Sequence, residues 1–190
     1  MTARVGIEER GANAAAVVAL ARTAVEAYVE EREPPEAPAG NALLERKAGA
    51  FVSIHTTVGE LRGCIGTVDP REQDLGREIV RNAVAASQDD PRFSPVRARE
   101  LEGLTYKVDV LEAPEAVGDE SALDPAHYGV IVESWRRRGL LLPALEGIDR
   151  AEDQVRIARE KGGIGANEPV SLFRFRVTRY EEGAERPVTP

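Results

Sequence analysis

The sequence is poor in the residues that most often announce a function. It has one cysteine and two histidines in 190 residues. A single cysteine excludes an intramolecular disulfide, and a cysteine-based zinc site or iron–sulfur cluster built by one chain. No apolar run approaches the roughly 20 residues that span a bilayer. Glu8, Glu9 and Arg10 precede any apolar stretch, so the start does not read as a signal peptide. Positive charge is in deficit, with 25 Lys and Arg against 33 Asp and Glu and a formal net charge of −8. That balance opposes loose binding to phosphate backbones or anionic lipid, so neither nucleic acid nor membrane is an expected partner. The expected compartment is the cytoplasm. The one basic run, Arg136-Arg137-Arg138 beside Trp135, precedes Gly139 and reads as a solvated hairpin tip. Internal repeats and low-complexity segments are absent. Gly162-Gly163-Ile164-Gly165 lacks the Lys-Ser/Thr of a P-loop. No His/Asp/Glu cluster has metal-ligand spacing, so no cofactor is expected.

What remains is a globular composition, of a size for one domain or one domain with a small second lobe. Residues 12–32 read as an amphipathic helix, with Val17, Leu20, Ala21, Ala24 and Tyr28 at helical spacing, stopped by Pro34, Pro35, Pro38 and Gly40. From Gly49 the period changes to two. Phe51–Thr56 is a strand, Thr57-Val58-Gly59-Glu60 its hairpin connection, and Leu61–Val68 the partner. Residues 74–88 return to helical spacing, with Leu75, Ile79, Asn82, Ala83 and Ala86 on one face, ended by Asp89-Asp90-Pro91. Tyr106–Leu111 alternates as a half-exposed strand. Tyr128–Glu133 and Gly139–Leu142 form a second hairpin, 149–160 a helix closed by Gly162-Gly163, and Val170–Tyr180 one long final strand. The hairpins make this an α+β fold, a largely antiparallel sheet with packed helices. Residues 1–12 and 182–190 read as polar tails around a domain at 13–181.

Chemistry concentrates in Leu61-Arg62-Gly63-Cys64-Ile65-Gly66-Thr67. Strand alternation turns Arg62, Cys64 and Gly66 one way and the more apolar Leu61, Gly63, Ile65 and Thr67 the other. A neighbouring guanidinium favours thiolate over thiol at Cys64. Gly66, and Gly63 on the opposite face, remove bulk where a substrate or another backbone approaches. The plain alternative is a cysteine acting as a small core hydrophobe. A cysteine nucleophile needs a base, and His55 on the paired strand is the better placed histidine, opposite a residue near Arg62 or Cys64. Its alternative is a solvent-facing strand histidine. His127 sits in a loop with no visible partner. Arg92, in Asp90-Pro91-Arg92-Phe93, either clamps a turn through Asp90 or joins Arg62 as a second cation for a carboxylate or phosphate. Asn82 needs a partner if buried and is placed to orient the same region.

This run resembles the signature of the AMMECR-domain family, whose prokaryotic members are called AmmeMemoRadiSam system protein A. Similar segments are Gly49–Ile54, Asn82-Ala83, Asp90-Pro91-Arg92-Phe93, Val108–Leu111, Tyr128–Val132 and Gly139–Pro143. His55 lies outside them. The resemblance implies a two-lobed α+β fold with a cleft or lobe boundary near the signature strand. It also implies a shared pathway with a Memo-like protein, related to non-haem iron dioxygenases, and a radical-SAM protein. Two functions are therefore expected as alternatives. One is an enzyme or enzyme subunit using Cys64, Arg62 and His55 on a small anionic or carbonyl substrate bound near Gly63, Gly66, Arg92 and Asn82. The other is a non-catalytic accessory protein binding those partners.

Overall fold

A computed structural model describes residues 2–183, with side chains from residue 13 onward. The chain divides into two compact units, one running up to Val110 and resuming at Arg179, the other Leu111–Thr178. Mixed helices and antiparallel sheet make up both.

The first unit opens with helix α1, Thr2–Val29, which starts earlier and ends sooner than the spacing predicts. Its stripe of Ala14, Val17, Ala21, Ala24 and Val25 is buried, but Tyr28 is exposed rather than on the stripe. The helix ends before the prolines: Glu31 adopts a φ of +56° and the Arg32 amide returns to the Ala27 carbonyl at 2.7 Å. A short helix α2, Ala42–Glu45, is capped by the Asn41 side chain. Strands β1 (Ala50–Thr56) and β2 (Leu61–Thr67) form the expected hairpin. Helix α3, Leu75–Gln88, is capped by Asp74 and buries Leu75, Ile79, Asn82, Ala83 and Ala86 as its spacing predicts. A 3-10 turn, Ala98–Gly103, leads into β3, Leu104–Leu111.

The second unit holds β4 (Glu115–Val117), β5 (Gly129–Ser134), β6 (Arg137–Leu141), helix α4 (Ala151–Lys161) and β7 (Ser171–Phe175). Strand β8 is Val177–Glu181. The first sheet has the order β2-β1-β3-β8 and the second β4-β7-β5-β6. The β1–β2, β1–β3, β4–β7, β5–β6 and β5–β7 pairs are all antiparallel.

The long final strand expected at Val170–Tyr180 is two strands in different sheets. The break falls at Arg176, whose guanidinium donates to the Tyr128 hydroxyl at 2.6 Å and whose carbonyl accepts the Glu112 amide at 2.9 Å. Buried Phe175 and Val177 keep the same parity across the break, so the pattern hides it. Glu182, the first residue of the expected tail, accepts from Arg22 Nε and Nη2 at 2.8 Å each and from the Tyr106 amide at 3.2 Å. Residues 184–190 of that tail, and the side chains of 1–12, lie outside the described residues.

The apolar face of the first sheet (Val52, Ile54, Tyr106, Val108) packs with α1 and α3 into one core. That leaves a half-exposed polar face carrying Phe51, Ser53, Cys64 and Lys107.

Candidate functional site: the thiol on the first sheet

Strand β2 is an outer strand of its sheet, and Cys64 lies across from Ser53 on β1. The Cys64 amide points away from β1 and donates to Asp90 Oδ2 at 2.9 Å. Ser53 and Cys64 are therefore a non-hydrogen-bonded pair, the kind that brings side chains closest. The Ser53 hydroxyl accordingly donates to Cys64 Sγ at 3.2 Å. The thiol is half-buried, neither sealed in the core nor fully open. On the next strand, Lys107 continues the row past Ser53 and pairs with Glu181 at 3.2 Å.

The Arg62 guanidinium is paired with a carboxylate. Pairing runs Ile54 to Gly63 and then jumps from His55 to Leu61, so Arg62 is an extra residue with no partner on β1. Such a bulge re-aims a side chain. The guanidinium ends with Nε on Glu100 Oε1 at 2.9 Å and is mostly buried there. That bond holds the Glu100 carboxyl below its usual range. The same bulge shifts the partner of His55 by one residue. The His55 Nδ1 lies 3.3 Å from the Gly59 carbonyl oxygen, and the residue opposite is Leu61.

Asp90 and Arg92 form the tightest polar contact at the site. Arg92 Nε and Nη2 meet Asp90 Oδ1 and Oδ2 at 2.9 and 2.7 Å. Arg92 holds the Asp90 carboxyl well below the usual carboxylate range, with the Cys64 amide assisting and burial opposing. Arg92 Nη2 also reaches the Cys64 carbonyl at 3.5 Å. Arg62 and Arg92 do come together, over one ring: their guanidinium carbons lie 6.0 and 5.5 Å from the Phe93 centroid. Both are already paired with a carboxylate. Arg179 is a further cation of this sheet, paired with Asp109 at 2.7 Å.

The remaining expected residues are structural in placement. A Cβ on Gly63 would fall 2.1 Å from the Ala86 carbonyl oxygen, so this glycine lets α3 lie against β2. Gly66 is covered by the Phe51 ring, 2.2 Å from where its Cβ would be. Asn82 is buried, donating to the Ala50 carbonyl at 2.9 Å and Thr67 Oγ1 at 3.0 Å. It ties α3 to the far end of the β1–β2 hairpin. Beside it, buried Glu78 accepts from Thr67 Oγ1 and from the amides of Arg71 and Glu72 at 2.7 Å each. His127, in the second unit, bonds Asp124 at 2.7 Å. Among the described residues no group of three His, Cys, Asp or Glu is arranged to hold a metal, and no helix is long and apolar enough to cross a membrane.

Sequence reasoning missed Ser53, yet a signal for it exists. Counting outward from the Thr57–Glu60 connection pairs residue 53 with residue 64.

The family model AMMECR1 matches residues 18–183. The chain belongs to the AMMECR1 family. A relative in Thermotoga maritima is 50% identical over 148 residues, covering 77% of this chain and 85% of that protein. Another AMMECR1 relative, in Clostridium acetobutylicum, is 46% identical over 140 residues, 74% of this chain but only 30% of that longer protein. The crystal structure of an uncharacterized Pyrococcus horikoshii protein has the same fold, with a TM-score of 0.78 at 29% identity over 92% of this chain and 93% of that one. The AMMECR1 match contains the whole Cys64 site as well as the eight strands of the described residues.

Proposed function

We propose that this protein is an enzyme or enzyme subunit in which Cys64 Sγ is the reacting atom toward a small anionic or carbonyl substrate. The observation that carries this reading is the Ser53 hydroxyl donating to the sulfur of a half-exposed thiol. A donor aimed at sulfur stabilises negative charge as it forms there. The Arg92 guanidinium, 3.5 Å from the Cys64 carbonyl, adds positive potential. The test is alkylation of folded protein by iodoacetamide at neutral pH. The sole thiol is expected to react, with a rate roughly fivefold lower in Ser53→Ala, the loss of one hydrogen bond worth about 1 kcal/mol. A native thiol that stays inert, or a rate indifferent to Ser53→Ala, refutes the reading.

A second reading has a specific observation in its favour. The His55 ring is turned to Gly59, leaving the thiol without an imidazole base, and Arg62 and Arg92 are both committed to carboxylates. Such a face suits an accessory protein of the AmmeMemoRadiSam type that binds a Memo-like or radical-SAM partner. Co-purification lost in Arg62→Ala but kept in Cys64→Ser favours that role, and equal retention in both removes this face from the interface. A cytoplasmic setting belongs to either reading.

A further inference from the structure

The free edge of β2 is guarded at its centre. In the order β2-β1-β3-β8 the strand has a neighbour on one side only among the described residues. An outer strand offers unpaired amides and carbonyls to any passing strand, and proteins blunt such edges with bulges and charged side chains. Here both devices occur within three residues. Arg62 is bulged out of register, and two positions on, the outward peptide groups of Cys64 are already taken. Its N–H is bound by Asp90 Oδ2 at 2.9 Å and its carbonyl is approached by Arg92 Nη2 at 3.5 Å.

Acceptor and donor are thus supplied side by side, as a residue on an adjoining strand supplies them. The two side chains are locked by their own paired bonds, and the Asp90 carboxylate is almost wholly buried while Arg92 is more than half exposed. Asp90 hangs directly off the end of α3, whose Ala86 backbone lies against Gly63. The helix therefore carries the pair to the strand edge and holds it there.

We propose that the Asp90–Arg92 pair is an edge plug, a side-chain surrogate for a missing strand, that keeps β2 of a second copy of this chain from adding to β2. A second copy is the occupant because an antiparallel edge meets its own like across a twofold axis, with no other partner needed. An antiparallel β2–β2 pairing about the plugged position brings the two Cys64 residues together. This role does not depend on Cys64 being chemically active.

The experiment compares the full-length wild-type chain with Asp90→Ala/Arg92→Ala by light scattering across a concentration series. The double variant is expected to rise toward twice the wild-type mass as concentration increases. A short bis-maleimide then locates the contact, because Cys64 is the only cysteine. Cross-linked dimer is expected in the double variant, not in wild type, and not after a further Cys64→Ser. A folded double variant that keeps the wild-type mass overturns the proposal, as does a mass increase with no Cys64 cross-link in protein whose Cys64 a monofunctional maleimide labels. Should the double variant fail to fold, Asp90→Asn preserves shape while removing the ion pair. Cross-linking above the wild-type level is then expected, and its absence in folded Asp90→Asn protein overturns the plug equally.

Discussion

Asp109 receives Arg179 side-on, Nε to Oδ1 at 2.7 Å and Nη2 to Oδ2 at 2.8 Å, in the geometry that also joins Asp90 to Arg92. In each pair the carboxylate is buried and the guanidinium lies on the solvent side. Removing the cation therefore strands a buried charge, whereas removing the anion leaves a cation free to hydrate. Arg179→Ala is expected to destabilise the fold by about 2–3 kcal/mol, and Asp109→Ala by less. Urea denaturation of both variants checks the order, and a larger loss for Asp109→Ala contradicts it.

The Asp90 pair gives a pH signature. Its carboxyl titrates well below the usual carboxylate range, chiefly because of Arg92. A folded-state value depressed in this way stabilises the protein above the unfolded value, near ~3.9, and the gain fades as pH falls through the folded one. Wild type is thus expected to exceed Asp90→Asn by roughly 2 kcal/mol at neutral pH, with the gap narrowing below about pH 4. Denaturation curves at several pH values measure it. A gap that stays constant into acid shows that the carboxylate charge is not what stabilises this turn.

Much of this was legible in the residues. The hydrophobic spacing of α3 and the hairpin at Thr57–Glu60 follow from periodicity and turn chemistry, and both are where the pattern puts them. The site is harder to read because its decisive feature is one skipped residue. A bulge at Arg62 leaves no mark on the alternation of LRGCIGT, yet it turns Arg62 to Glu100 and sets His55 opposite Leu61. Glu78 was hidden for another reason. An acidic residue in the first turn of a helix looks like ordinary dipole compensation, and only the fold shows it buried beneath the Arg71 and Glu72 amides.

Asn82 separates architecture from substrate contact. Its side-chain amide satisfies the Ala50 carbonyl and Thr67 Oγ1 inside the core. Asn82→Ala is expected to cost about 2 kcal/mol by leaving buried acceptors unpaired. Because the residue acts at the far end of the hairpin, iodoacetamide should modify Cys64 in the folded variant at the wild-type rate. A slowed reaction in protein shown to be folded assigns Asn82 to the site instead.

His55 is expected to be dispensable for thiol reactivity. Its ring meets the Gly59 carbonyl, and its cross-strand neighbour is Leu61 rather than Cys64. His55→Ala should leave the pH–rate profile of Cys64 alkylation superimposable on that of wild type. A profile that changes shape in the variant restores the imidazole as a base.

Gly63 and Gly139 mark the same device in the two units, a strand glycine against which a helix lays its backbone. A Cβ would stand 2.1 Å from the Ala86 carbonyl oxygen at Gly63 and 1.7 Å from the Ala158 carbonyl oxygen at Gly139. Neither obstacle is a flexible side-chain end, so the helix itself must retreat. Gly63→Ala and Gly139→Ala are each expected to destabilise by about 2–3 kcal/mol through overpacking. Gly103 supplies the control: a Cβ there meets nothing within 4 Å, and its φ is not left-handed. Gly103→Ala should be neutral or stabilise by up to ~1 kcal/mol, because alanine narrows the unfolded ensemble. Equal losses at all three positions would mean that the cost comes from replacing glycine as such, not from the helix lying against the strand.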